Sequence, residues 1–314
     1  MHGLSRTALI AALAVLGVLL GARAQAAKFE VEIQRDVEYG SGGGEKLTLH
    51  LARPRGLSQP APAVVFIHGG GWAAGNKNMF LPFIEQFASE GYVAVTVGYR
   101  LAPKHRFPAQ IEDCKCAVRW LRAHASELNV DPERIGASGA SAGGHLSLLL
   151  GTMDADDGLE GEGGWQEHSS KVQAVVSYFG PVDLTVTEEK LQDSPARELI
   201  SLQTVRSILR NFVGGEPEEH VELLTSASPL HYVSEGDAPM LLLHGTRDNL
   251  VPYDQVYTML DALAKAGIKG RAEVILGAGH GWMGEELNRT QRASLEFFNQ
   301  IFDFKAQEQE VAGN

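Results

Sequence analysis

Between Gly136 and His145 the chain reads GASGASAGGH, which holds two serines, Ser138 and Ser141. Only Ser141 stands in a complete G-x-S-x-G pattern, with Gly139 and Gly143 on either side; Ser138 has Ala140 where the second glycine belongs. The pattern has a steric cause. A serine on a strained strand-to-helix turn exposes its hydroxyl, and the positions two residues away must be small to avoid clashes. The helix N-terminus beneath it favours developing negative charge. The flanks agree, since ERIGASG reads as strand and AGGHLSLLLG as helix. Ser138 then falls inside the strand and packs there. A serine hydroxyl becomes a nucleophile only when a base removes its proton. Downstream, LLLHGTRDNLVP places Asp248 just beyond a buried strand, and GAGHGW places His280 beyond the next. Both positions follow strand C-terminal ends, the edge where open α/β sheets hold their sites. In this arrangement Ser141 attacks a carbonyl and His280 is general base, then general acid. Asp248 fixes the imidazole tautomer and stabilises the imidazolium. Upstream, FIHGGGW sets Gly69, Gly70 and Gly71 after a strand. An oxyanion needs backbone N–H donors that side chains do not obstruct. Gly70 and Gly71, with the amide of Ala142, are the expected donors.

The other polar residues have structural readings. His68 opens the glycine loop and braces it by hydrogen bonding. His145, one helical turn past Ser141, and His244, at a strand end near Asp248, read as buried structural histidines. Asp183 of GPVDL also follows a strand and is a rival acid, but Asp248 fits the chain order better. Trp72 and Trp282 flank the glycine and His280 loops, where they either fill core or line an aromatic-friendly pocket. Asp154, Asp156 and Asp157 sit in the acidic stretch MDADDGLEGEGGWQEHSS. That stretch lacks the glycine at position six and the glutamate at position twelve of an EF-hand loop. It reads as a solvated surface loop, and no metal site is expected. Cys114 and Cys116, the two cysteines, lie in the helical pattern QIEDCKCAVRWLRA. Residues two apart on a helix point in separated directions, so both are expected as free, packed thiols.

The elements that position these residues follow from periodicity. FEVEIQRDVEYG and EKLTLHLARP alternate like two strands joined by the SGGG turn. APAVVFI is a short buried strand, NMFLPFIEQFASEG a helix, YVAVTVGYR a strand, and residues 109–127 a helix. KVQAVVSYFGP, APMLLLHG and RAEVILG read as three further buried strands. PYDQVYTMLDALAKAG and EELNRTQRASLEFFNQIF read as helices. Strands alternating with helices after a hairpin predict a mostly parallel sheet with an antiparallel start and helices on both faces. Residues 185–228 form a polar helical insertion after a strand end, placed to act as a lid. No repeat or linker divides residues 27–314, which read as one domain. Ahead of them, Arg6, the apolar run Ala8 to Leu20 and the small residues that follow read as a secretory signal peptide over 1–26. Cleavage after Ala24 or Ala26 predicts a secreted or periplasmic protein with no stable membrane association. Losing the two arginines Arg6 and Arg23 takes the formal charge from −12 to −14. An acidic chain without basic clusters argues against nucleic acid and anionic membranes as partners.

In combination, HGGGW, GYRLAP (Gly98 to Pro103), DPERIGASGASAGG and HGTRDNLVP resemble the hormone-sensitive-lipase-like branch of the α/β-hydrolases. KVQAVVSYFGPVDL and SPLHYV bring the chain closer to the bifunctional feruloyl and acetyl-xylan esterase type. The resemblance covers residues 46–303. It implies an α/β-hydrolase fold and a carboxylic ester hydrolase with no cofactor. The implied substrates are short-chain or plant-cell-wall (acetyl or feruloyl) esters, either small molecules or polysaccharide-linked. In that family the second and third glycines of HGGG and the residue after the serine form the oxyanion hole, matching Gly70, Gly71 and Ala142. The large helical N-terminal cap common in that branch is missing, which leaves the lid role to residues 185–228. Two other readings compete. A serine exopeptidase of prolyl-oligopeptidase type shares the serine motif and the order of the three residues, but it normally carries an N-terminal propeller. The residues before Ser141 leave no room for one. A hydrolase-fold protein that only binds partners usually lacks one of the three residues; here all three are present.

Overall fold

Gly43 and Gly44 close the first turn at φ +57° and +80°. Two consecutive left-handed residues make a tight hairpin whose twist matches its strands. They join β1 (Val31–Gly42) to β2 (Glu45–Pro54) in the computed structural model, which describes residues 29–185 and 188–305. The predicted signal segment lies outside the described residues. β3 (Ala61–Ile67), β4 (Val93–Val97), β5 (Val130–Ala140), β6 (Ala174–Tyr178), β7 (Met240–Gly245) and β8 (Gly270–Ile275) complete one sheet, in the order β1-β2-β4-β3-β5-β6-β7-β8. β2 runs antiparallel to both neighbours, and every pairing from β4 across to β8 is parallel. The sheet is therefore mostly parallel with an antiparallel start, as the periodicity predicts.

Helices α1 (Leu81–Ser89), α2 (Ala109–Ala123), α3 (Ala142–Thr152), α4 (Leu202–Val213), α5 (Gln255–Lys265) and α6 (Glu285–Ile301) surround it. Alternation along the strands sorts the core into two layers. Ala63, Val65 and Ile67 of β3, with Met240 and Leu242 of β7, face α2, α3 and α5. Val64 and Phe66, with Leu241 and Leu243, face α1 and α6. These strands are buried on both sides, as parallel strands covered by helices must be. Each buried Leu, Val or Phe stabilises the fold by about 1.5–3 kcal/mol.

Three elements differ from expectation. β8 is half exposed rather than fully buried, because it is the last strand and only β7 pairs with it. The helix predicted over 109–127 breaks after Ala123, and a separate turn, Ala125–Leu128, ends at Asn129 with φ +55°. The acidic stretch after α3 is more than a solvated loop. Lys115 and Arg119 of α2 are each 1% exposed, and Glu160 of that stretch turns inward to pair with them at 2.8 and 2.6 Å. The carbonyls of Gly158 and Gly164 and the Ser170 hydroxyl complete the cluster. Asp154, considered above for calcium, instead pairs with Lys171 at 2.8 Å.

Burial alone would raise the Glu160 carboxyl, but its bonds from Lys115, Ser170 and Arg119 outweigh that and hold it below its ordinary value. Removing one partner of a buried pair leaves the other charge uncompensated. Glu160→Gln should therefore lower stability by on the order of 3 kcal/mol at pH 7, read by urea unfolding. A carboxyl lowered on folding contributes stability that is present above its unfolded value and lost as pH falls through the folded one. The gap between variant and wild type should thus narrow below about pH 4. Equal urea midpoints at pH 7 would show that the cluster is not held by Glu160.

Candidate active site

β5 ends directly on Ser141, whose backbone sits at φ +55°, ψ −121°, before α3 begins at Ala142. A residue with a Cβ is strained there, and the surroundings hold it in place. The Ser141 N–H donates to the Tyr178 carbonyl at the end of β6, at 2.8 Å. The two flanking glycines are required by close approach. A Cβ on Gly139 would lie 2.4 Å from the Gly143 carbonyl, and one on Gly143 would lie 2.0 Å from the Ile67 carbonyl. The start of α3 can press against the end of β3 only because neither side chain exists. Ser138, by contrast, is buried in β5, in register with Phe66 and Val176.

The loops after β7 and β8 bring the other two groups to this turn. The Arg247 and Thr246 N–H groups donate to Ala278 and Ile275, at 2.8 and 3.0 Å, so the loops are bound along their lengths. His280 Nε2 lies 2.8 Å from Ser141 Oγ, and His280 Nδ1 lies 2.8 Å from Asp248 Oδ2. A carboxylate only accepts, so Nδ1 carries the proton and Nε2 accepts from the serine hydroxyl. The Phe179 ring packs edge-on against the imidazole, 4.7 Å between centroids. Asp248 is fully buried. Burial would raise its carboxyl, but hydrogen bonds from His244 and His280 prevail and hold it well below the usual carboxylate range.

The glycine loop after β3 completes the site. Gly70 and Gly71 adopt φ +120° and +57°. Among the described residues their N–H groups have no protein acceptor, while the Gly70 carbonyl takes the N–H groups of Ala73 and Ala74. A Cβ on the preceding Gly69 would lie 3.2 Å from the Ser141 Cβ, which shows how closely this loop approaches the serine. The Ala142 amide is the first of α3. His68 braces the loop as expected: its Nδ1 lies 2.8 Å from the Gly69 carbonyl, and its ring stacks on Tyr99. Burial lowers the His68 imidazole below its ordinary value.

His145 is fully buried and ties three elements together. Its Nε2 lies 2.6 Å from the Ala227 carbonyl, and its Nδ1 accepts from the Trp72 indole at 3.2 Å. Only the Nε2–H tautomer satisfies both partners. Burial pushes this imidazole down to about 4, so it is neutral at pH 7. Asp183, the rival acid, faces the cleft but not His280, and is engaged by Thr185 and Lys190. Trp282 packs on Phe179 and donates to Thr290, whereas Trp72 lines the cleft. Cys114 and Cys116 are unbridged and buried; burial raises both thiols, Cys116 to about 11.

The cleft over Ser141 holds about 560 Å³. One wall is aromatic and aliphatic, from Met79, Phe83 and Phe179; the other comes from α4 through Val205, Ile208 and Leu209. These α4 residues share a stripe with Phe212, which stacks on Trp72 at 4.2 Å. Composition suggested a polar insertion, and its apolar face became visible only once docked. Two contacts go beyond the sequence reading: Phe179 on the His280 ring, which it did not foresee, and the bond of His244 to Asp248 at 3.0 Å, where it had only nearness. The second carried a signal, since His244 and Asp248 are four residues apart across one tight strand end.

A nucleophile on a strained turn, a histidine and acid from later strands, and a glycine loop beside them define an α/β-hydrolase with a Ser–His–Asp site. The BD-FAE family model matches residues 49–263, and the chain belongs to that family. The esterase LipC of Mycobacterium tuberculosis is 32% identical over 259 residues, which cover 80% of this chain and 61% of LipC. The chain spans between about half and three-fifths of the curated relatives it matches first, 61%, 51% and 53% of their lengths. Among solved structures, the propionate-bound esterase Est2 of Thermogutta terrifontis superposes with a TM-score of 0.70 at 31% identity, covering 89% of this chain and 96% of that one. A truncated carbohydrate esterase from gut microbiota superposes with a TM-score of 0.71 at 26% identity, covering 88% and 98%.

Proposed function

We propose that the protein is a carboxylic ester hydrolase working through an acyl-enzyme on Ser141. The observation that carries this reading is the unbroken run of 2.8 Å bonds from Ser141 through His280 to Asp248. Ser141 Oγ attacks the ester carbonyl as its proton passes to His280 Nε2. The carbonyl oxygen becomes an oxyanion facing the N–H groups of Gly70, Gly71 and Ala142, each worth about 3–4 kcal/mol in the transition state. Collapse breaks the C–O bond, and the alcohol leaves with the proton from His280. Water, deprotonated by His280, then releases the acid and restores the serine.

The substrate class is a short acyl or plant-cell-wall (acetyl or feruloyl) ester. The mostly apolar cleft supports it, as do two structural neighbours, one an esterase bound to propionate and one a carbohydrate esterase. An exopeptidase would need carboxylates free to bind a substrate amine. Among the described residues that line the cleft the one acidic side chain, Asp183, is already paired with Lys190. Residues 185–228 serve as a lid on a single hydrolase domain, and export follows from the signal peptide.

The test is a panel of p-nitrophenyl esters of increasing chain length, acetyl-xylan, methyl ferulate and aminoacyl amides. Turnover should be high on the short or wall-type esters and absent on the amides. Turnover confined to the amides would overturn the esterase reading.

A further inference from the structure

His244 is the penultimate residue of β7 and points at Asp248. Its Nε2 lies 3.0 Å from Asp248 Oδ2 and 3.2 Å from the Val251 carbonyl. Both partners only accept, so Nε2 carries the proton and donates to the two of them. Asp248 thus accepts four hydrogen bonds. Its Oδ1 takes the N–H groups of Leu250 and Val251, at 2.8 and 3.0 Å, and its Oδ2 is shared by His280 and His244.

This division separates two jobs. The backbone amides on Oδ1 already fix the direction of the carboxylate. The second imidazole sits on the oxygen that serves His280, where it withdraws negative charge from the bond that stabilises the imidazolium. We infer that His244 is a positioning residue of the reaction, acting through Asp248: its N–H competes with His280 for Oδ2 and limits how strongly the acid supports the catalytic base. The inference rests on the esterase reading above only for its kinetic readout.

The groups facing the pair are few. His244 comes from the end of β7, His280 from the loop after β8 and Ser141 from the β5–α3 turn. Asp183, from the loop after β6, lines the same cleft and is held by Lys190. Arg247, next to Asp248 in the chain, is exposed.

The experiment compares His244→Leu, which removes the donor, with His244→Gln, whose amide keeps an N–H at similar reach. In His244→Leu the acid limb of kcat/KM on p-nitrophenyl acetate should move to higher pH by about half a unit to one unit, with KM nearly unchanged. His244→Gln should restore the wild-type limb. Independently of turnover, the low-field proton resonance of the His280–Asp248 bond should move further downfield in the Leu variant. Should the Leu variant fail to fold, His244→Asn, too short to reach Oδ2, takes its place. A folded Leu or Asn variant with an unmoved acid limb and resonance overturns the inference, as does a shift that Gln does not reverse. Wild-type protein without esterase activity would instead fail the parent reading, leaving the resonance to decide this one.

Discussion

Ser141→Ala should reduce kcat on p-nitrophenyl acetate by about 10⁶-fold, the scale of loss when a nucleophile is removed from an otherwise intact triad. The fold should survive, because alanine meets the same backbone strain at φ +55° and fits the same space. What remains should be the small catalysis that an oxyanion site and binding supply without a nucleophile. Ser138→Ala is the matched control. That serine is buried in mid-strand, in register with Phe66 and Val176, and its loss should leave turnover near the wild-type rate. An active Ser141→Ala beside a dead Ser138→Ala would reverse the assignment of the two serines.

Gly143→Ala should be the most destabilising single methyl in the molecule's functional region. The added carbon would lie 2.0 Å from the Ile67 carbonyl and 2.6 Å from the His68 carbonyl. Both obstacles are backbone, so relief requires the start of α3 to separate from the end of β3. A loss on the order of 4 kcal/mol or more is expected, visible as a collapsed melting temperature or failure to accumulate folded protein. Gly158→Ala provides the comparison. Unlike Gly143 it has a positive φ, +79°, but nothing lies near its Cβ position. Its cost should stay at the backbone strain alone, about 1–3 kcal/mol. A Gly143→Ala variant that melts with the wild type would show that the crowding at the turn is not what selects glycine there.

What could be read from the sequence divides along a physical line. The Ser141 turn, the glycine loop and the strand ends carrying Asp248 and His280 are each specified locally. Steric demand, backbone donors and strand-to-loop transitions leave marks within a few residues. The half-exposed β8 was misread because its RAEVILG pattern does not record that only one strand pairs with it. Glu160 looked solvated because its partners, Lys115 and Arg119, lie on another element, and a charge reveals its burial only when its counter-charges are in place. The inner stripe of α4 was hidden in the same way, as was the Phe179 contact with His280. Short-range chemistry was legible; the choice of neighbours across the fold was not.

The Trp72–His145–Ala227 connection reduces the independent adjustments available at this site. Trp72 directly follows Gly70 and Gly71, stacks on Phe212 of α4, and bonds the imidazole that holds the end of the insertion. Ile208 of the same helix bears on Gly71, 3.1 Å from where its Cβ would be. Cleft width and the geometry of the Gly70–Gly71 loop are therefore one variable rather than two. An engineer who widens the cleft by shifting α4 also moves the Gly70–Gly71 loop, so on the esterase reading proposed above accommodation of bulkier esters should trade directly against rate on small ones. Enlarging the opposite wall at Met79 or Phe83 leaves that joint untouched, and it is the side from which substrate range can be altered on its own.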